Sequence, residues 1–190
     1  MLACPILRLA AGERRVRLGE GALLLVEEGT VLVASSRSKR RMIVAVASAG
    51  SLLLAPAAGE YLEATTDARL RIIGRAAQQT LVQRPDAALA LVEALAEQLR
   101  ERQESLAHFS SVRHLERVRE KLLQLARSHG RVVPGGVRID LPLTHELLGE
   151  MVGSARETVS WAFSELAREG FVSRDGRSYR LAVAPEALAS

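Results

Sequence analysis

Val152-Gly153-Ser154-Ala155-Arg156-Glu157-Thr158-Val159-Ser160 is the stretch whose reading decides the fold. Gly153 ends one helix, because glycine takes a left-handed backbone without a Cβ penalty. Ser154 opens the next, with Glu157 three residues on in the S-x-x-E pattern of a capping box. Upstream, Thr144 is an N-cap candidate for a first helix that buries Leu147, Leu148, Met151 and Val152. A short helix, a glycine turn and a capped second helix make a helix-turn-helix.

The second helix has two unlike faces. At about 100° per residue, Ala155, Val159, Ala162, Phe163 and Leu166 fall on one stripe. Arg156, Glu157, Ser160, Trp161 and Ser164 fall on the other, in the half of a recognition helix that meets base edges. Downstream, Phe171-Val172-Ser173 and Tyr179-Arg180-Leu181 flank Asp175-Gly176, a strong hairpin signal that predicts a wing.

Working toward the N-terminus, Ser110 or Ser111 caps a helix through Leu115, Val118, Leu122, Leu123, Leu125 and Ala126, ending near Gly130. Pro134-Gly135-Gly136 then turns into a strand at Val137 to Leu141. Before this region, Pro85 suits the first turn of a long helix. There Val92, Leu95, Leu99, Arg102, Leu106 and Phe109 recur at spacings of three and four, a seam of about three heptads broken at Arg102. The opposite face, Glu93, Glu97, Arg100, Glu101 and Glu104, is charged, which favours a dimer seam. The same spacing would also serve a helix packed on its own domain.

Residues from about Ala11 to Ile73 read as short strands. Ala22 to Val26, Thr30 to Ala34 and Met42 to Val46 are apolar runs, with two more near Leu53 and at Leu70 to Ile73. Glu27-Glu28-Gly29 is read as a tight turn between the first two. Strand alternation sends the Glu27 and Glu28 side chains to opposite faces, which argues against a catalytic pair. The fold class is therefore α+β, with a β-roll over 1–84, a long helix over 85–109 and a winged helix-turn-helix over 110–190.

Composition narrows the function classes. Of 190 residues, 26 are Lys or Arg and 22 Asp or Glu, a net charge of +4 that suits a partner made of phosphates without requiring one. No apolar run approaches a membrane span, and the first residues carry no secretory pattern, so a cytoplasmic protein is expected. A lone cysteine, Cys4, provides no internal disulfide. Four scattered histidines, His108, His114, His129 and His145, lack metal-ligand spacing. Arg37 to Arg41 reads as a solvated hairpin tip. No cofactor and no enzyme activity are expected.

Residues Thr144 to Arg177, and most of all Val152 to Ser160, resemble the DNA-binding region of the cyclic-AMP receptor protein/FNR (CRP/FNR) family of regulators. The order of roll, long helix and winged helix is similar over nearly the whole chain. Ala11-Gly12-Glu13, Glu28-Gly29-Thr30-Val31 and Ala49-Gly50 fall where the family's cyclic-nucleotide-type jelly roll has its turns. The resemblance implies a bacterial homodimer joined along the long helix at Val92, Leu95, Leu99, Leu106 and Phe109. It implies a two-fold symmetric double-stranded DNA operator and contact with RNA polymerase. Arg156 and Glu157 resemble the family's base-reading pair, toward guanine and a cytosine amino group, as groove chemistry independently allows. Ser160 and Trp161 share that outward face. Thr144, His145, Ser154, Thr158 and Arg177 match positions that hold phosphates. Trp161 departs from the pattern, since the family usually places an arginine there.

The roll departs further. Family members that bind cyclic AMP carry a Phe-Gly-Glu segment followed by an Arg-Ser or Arg-Thr that grips the phosphate. Here Ser51 to Tyr61 holds no arginine, and the next is Arg69, in a predicted strand. The expected function is a transcription regulator, an activator that works without cyclic AMP. The alternative is a regulator gated by another small molecule held in the roll.

Overall fold

The computed structural model describes residues 4–16, 18–19, 21–35, 41–109, 113–176 and 178–188, with backbone alone at 101, 102 and 104–109. Two compact units are present, Met1–Arg102 and Gln103–Ser190. Among the described residues, no helix is long and apolar enough to cross a membrane.

The first unit is a roll of two four-stranded antiparallel sheets. One orders β1 (Ile6–Leu9), β8 (Ala68–Ile73), β3 (Leu23–Glu28) and β6 (Leu52–Leu54). The other orders β2 (Arg14–Arg15), β7 (Glu60–Ala64), β4 (Thr30–Ser35) and β5 (Met42–Ser48). Leu24, Val26 and Leu70 of the first sheet meet Val31, Val33 and Leu62 of the second in one core, all essentially without solvent contact. Each such side chain contributes roughly 1.5–3 kcal/mol by leaving water. The alternation behind this core is why the apolar runs were legible as strands.

The bend at Gly29 differs from expectation. Glu27 and Glu28 belong to β3, and β3 does not pair with β4; the chain crosses between sheets at Gly29 alone. Gly29 has φ +79°, and a Cβ there would lie 2.2 Å from the Asp67 carbonyl oxygen, so only glycine fits. The β3–β8 register slips between Val26 and Glu28. That irregularity breaks the alternation, and both carboxylates reach Arg69, at 3.0 Å for Glu27 and 2.7 Å for Glu28. Glu27 also pairs with Arg71 at 2.6 Å. The two glutamates thus share a cation, as strict alternation would not allow.

After β8 come α1 (Arg75–Leu81) and the 25-residue α2 (Pro85–Phe109), which starts at Pro85 as expected. One face of α2 packs on the roll. Leu91 and Leu95 pack on Leu23, Ile73 and Ala77 of their own unit. Leu89, Val92 and Leu99 stand 60%, 63% and 58% exposed. Leu95 is thus half-buried within its own unit, and Leu89 lies exposed with Val92 and Leu99. Side chains at 106 and 109 fall outside the description.

The second unit holds α3 (His114–His129), β9 (Gly130–Val133), β10 (Gly136–Ile139), α4 (His145–Val152), α5 (Arg156–Arg168), β11 (Val172–Asp175) and β12 (Ser178–Leu181). Its antiparallel sheet is ordered β11-β12-β10-β9. Val118 and Leu122 of α3, Leu148 of α4, Val159 and Leu166 of α5 and Leu181 of β12 are fully buried. The expected Ser110 or Ser111 cap lies outside the described residues, and Arg113 occupies the N-cap position of α3.

Candidate nucleic-acid interface

Thr144 caps α4 as its sequence predicts, its Oγ1 accepting from the Leu147 N–H at 3.0 Å. Among the described residues its own hydroxyl proton has no acceptor. Gly153 ends α4 in the left-handed region at φ 66°, ψ 32°, donating its N–H to the Gly149 carbonyl. Gly149 is itself constrained, since a Cβ there would come 2.7 Å from the Ser154 carbonyl oxygen. That close approach lets α4 and α5 meet with only three residues between them.

The capping box does not form. Ala155, not Ser154, is the N-cap of α5, and no side chain caps it. Ser154 instead faces α3. Its Oγ lies 2.9 Å from Nδ1 of His114, which also receives a bond from Arg117 at 2.9 Å. Arginine can only donate, so Nδ1 is an acceptor and its single lone pair is shared between Arg117 and the Ser154 hydroxyl. Arg117 also donates to the Val152 carbonyl at 3.4 Å. Ser154 thus ties the turn to α3.

On α5, Val159, Ala162, Phe163 and Leu166 are buried, as the angular reading requires. Ala155 is exposed instead, because it lies before the helix begins. Arg156 and Glu157 are exposed and Trp161 is 54% exposed, while Thr158 is half-buried at the flank. Other arginines of this unit are tied: Arg119 to Glu169 and Glu116, Arg138 to Asp140, Arg168 to Glu165. Among the described residues, Arg156 and Glu157 form no ion pair, so the guanidinium fork and the carboxylate stay open to other partners.

Ser160 is not open in that way. Its hydroxyl donates to the Arg156 carbonyl at 3.0 Å and meets Nδ1 of His145 at 2.9 Å. A base-reading role for Ser160 is therefore replaced by a bracing one. His145 stacks on Phe163, with ring centroids 4.7 Å apart, and lies 6.4 Å from the Tyr179 ring. Burial, then the charges of Arg156 and Arg174, push its pKa below the usual imidazole value. Arg174, exposed on β11, thus shares the electrostatic neighbourhood of Arg156 and His145. Sequence reasoning passed over Arg174, Arg117 and His114. Arg174 sits two residues before the hairpin glycine, a position that could have drawn attention to it.

The wing forms with Asp175 paired to Ser178, so Asp175 ends the strand and Gly176 lies in the turn. Gly176 has φ 62°, as a two-residue hairpin turn needs. Arg177 lies outside the described residues.

These elements define a winged helix-turn-helix protein with an N-terminal β-roll. The model of the Crp-like helix-turn-helix domain matches residues 116–190. The CRP-like cAMP-activated global transcriptional regulator of Mycobacterium tuberculosis is 32% identical over 118 residues, covering 60% of this chain and 53% of that protein. The matched stretch thus spans about half the relative's length. In fold, a CooA variant from Carboxydothermus hydrogenoformans aligns at TM-score 0.82 and 22% identity, over 98% of this chain and 86% of that one. FixK2 from Bradyrhizobium japonicum aligns at 0.78 and 24%, over 99% and 96%. Residues 116–190 therefore carry a Crp-like helix-turn-helix domain, and the relatives that share sequence with this chain are transcription regulators.

Proposed function

We propose that this chain is a homodimeric, sequence-specific DNA-binding regulator of bacterial transcription, acting in the cytoplasm on a two-fold symmetric operator. The observation that carries the reading is the outward face of α5. Arg156 and Glu157 project unpaired from its first turn, where a recognition helix meets base edges. Arginine matches the two acceptors of guanine, and a carboxylate accepts from the cytosine amino group. Thr144 supplies a free hydroxyl proton, and His145, Thr158, Arg174 and Arg177 supply phosphate contacts around that face. Trp161 offers an apolar surface to a thymine methyl or to the sugar-phosphate chain. Leu89, Val92, Leu99 and Leu106 form the dimer seam along α2. The regulator is an activator that touches RNA polymerase.

The same reading dispenses with cyclic AMP. Arg69, the arginine nearest in sequence to the expected phosphate position, is held by two carboxylates. Placing a phosphate against it means displacing Glu27 and Glu28 and desolvating what remains.

Selection of bound duplexes from a random pool tests the function directly. Sites should appear as inverted half-sites about 34 Å apart. Glu157→Ala should flatten base preference at one symmetric pair of positions, at roughly 1–3 kcal/mol on the preferred site. Thr158→Ala should weaken all sequences alike. Equal, sequence-independent losses from both variants would show that α5 does not read bases.

A further inference from the structure

The side chain of His145 raises a question of proton bookkeeping. Ser160 has one hydroxyl proton, and the Arg156 carbonyl receives it at 3.0 Å. The Ser160 oxygen therefore meets Nδ1 of His145, 2.9 Å away, as an acceptor. This fixes the proton of the neutral ring on Nδ1 and leaves Nε2 as a bare lone pair. Among the described residues, Nε2 has no hydrogen-bond partner. A DNA phosphate offers only acceptors, so the neutral ring in this tautomer has nothing to give it.

Resting on the reading that α5 docks on DNA, we propose that His145 is a proton-coupled phosphate contact. Through Ser160 it positions the first turn of α5, and it grips a phosphate from Nε2 only after taking up one proton per protomer.

The surroundings set the direction. The groups packed against His145 are Ser160 and Phe163 of α5 and Tyr179 of β12, and the charges acting on it are Arg156 of α5 and Arg174 of β11. Burial and both cations hold the free ring neutral at pH 7. A phosphate docked between those cations and the ring reverses the balance, because it offsets both charges and accepts from the imidazolium. Protonation then adds the Nε2–H donor without disturbing the Nδ1–Ser160 bond. The brace to Arg156 survives the switch, so the base-reading fork stays in place while the grip tightens.

The test uses the full chain and a duplex taken from the random-pool selection. Affinity is measured from pH 6 to 8 at fixed salt, and proton uptake by calorimetry in two buffers of different ionisation heat. Affinity should fall as pH rises, by up to about tenfold per pH unit per protomer, with protons taken up on binding. His145→Gln should abolish this slope. Ser160→Ala is the sharper variant, since it deletes one surface hydroxyl and frees Nδ1. The neutral ring can then carry its proton on Nε2, and the slope should flatten although His145 remains. A purely structural role for the pair would weaken binding equally at every pH. Binding without proton uptake, or a slope that persists in both variants, overturns the proposal. Failure to bind any duplex at any pH overturns the DNA-reading function beneath it.

Discussion

Replacing Leu99 with alanine should loosen the dimer and leave the roll intact, whereas Leu95→Ala should do the reverse. Leu99 is 58% exposed in the single chain and Leu95 packs against Leu23, Ile73 and Ala77. Fully burying a leucine stabilises by roughly 1.5–3 kcal/mol. With three-fifths of its surface left for a partner to cover, Leu99 contributes about 1–2 kcal/mol per protomer at the seam. Two-fold symmetry counts it twice, so the variant should lose about 2–4 kcal/mol of dimerisation, roughly a 30- to 700-fold weaker dimer. Sedimentation velocity across a dilution series reads that constant. Thermal unfolding is compared well below it, where parent and variants are both monomeric, because dimerisation itself raises apparent stability. In those conditions Leu99→Ala should melt like the parent and Leu95→Ala several degrees lower. A parent-like dimer in Leu99→Ala together with dissociation in Leu95→Ala would refute the outward stripe.

Three further outcomes are expected. Gly29→Ala should destabilise the roll well beyond the roughly 1–2 kcal/mol of a left-handed residue, because its Cβ meets the Asp67 carbonyl. Gly12→Ala, at φ +84° with open space around it, should show the backbone cost alone by denaturant titration. Cyclic AMP should leave the melting temperature unchanged, where binding at 100 times the dissociation constant would stabilise by about 2.7 kcal/mol; a clear rise would show that Arg69 can exchange its glutamates for a phosphate. Burial, then the charge of Lys121, lowers the pKa of His129 from 6.5 to about 4. The unfolded chain therefore binds the extra proton first. Stability should be full above pH 6.5, fall by on the order of 2–3 kcal/mol toward pH 4 and flatten below, and His129→Gln should remove that slope.

In the roll, the strands read from the sequence were those whose apolar runs fill the core: β3, β4, β5, β6 and β8. β7 was missed although Leu62 and Ala64 are fully buried, because two of its five residues are Glu60 and Glu63. Glu63 lies between Arg14 and Arg41, at 2.6 and 3.2 Å. Acidic residues lower a strand's local signal, and the arginines that offset them are distant in sequence. β2 is two arginines, and β9 opens on a glycine read as a helix stop. Nothing local marks either as a strand; each is made one by the neighbour it pairs with. The turn at Gly29 was legible as a glycine and misread as a hairpin, since φ alone does not say which sheet the next strand joins.

The recognition helix shows the same limit at the scale of single atoms. Helical spacing assigns a residue to a face, and on that test Arg156, Glu157, Ser160 and Trp161 are equivalent. What separates them is what else lies within 3 Å. Ser160 is the shortest of the four, and an i−4 carbonyl is always within reach of a serine hydroxyl in a helix. His145, fifteen residues earlier, arrives on the other side because the Gly149–Ser154 contact draws α4 against α5. Ser154 is diverted for the same kind of reason, by His114 forty residues away. Long side chains at the helix start escape such capture: Arg156 and Glu157 extend past the backbone that holds the serines. Small hydroxyl residues in a helix-turn-helix are therefore the positions where pattern and role part company, and the charged pair is where they agree.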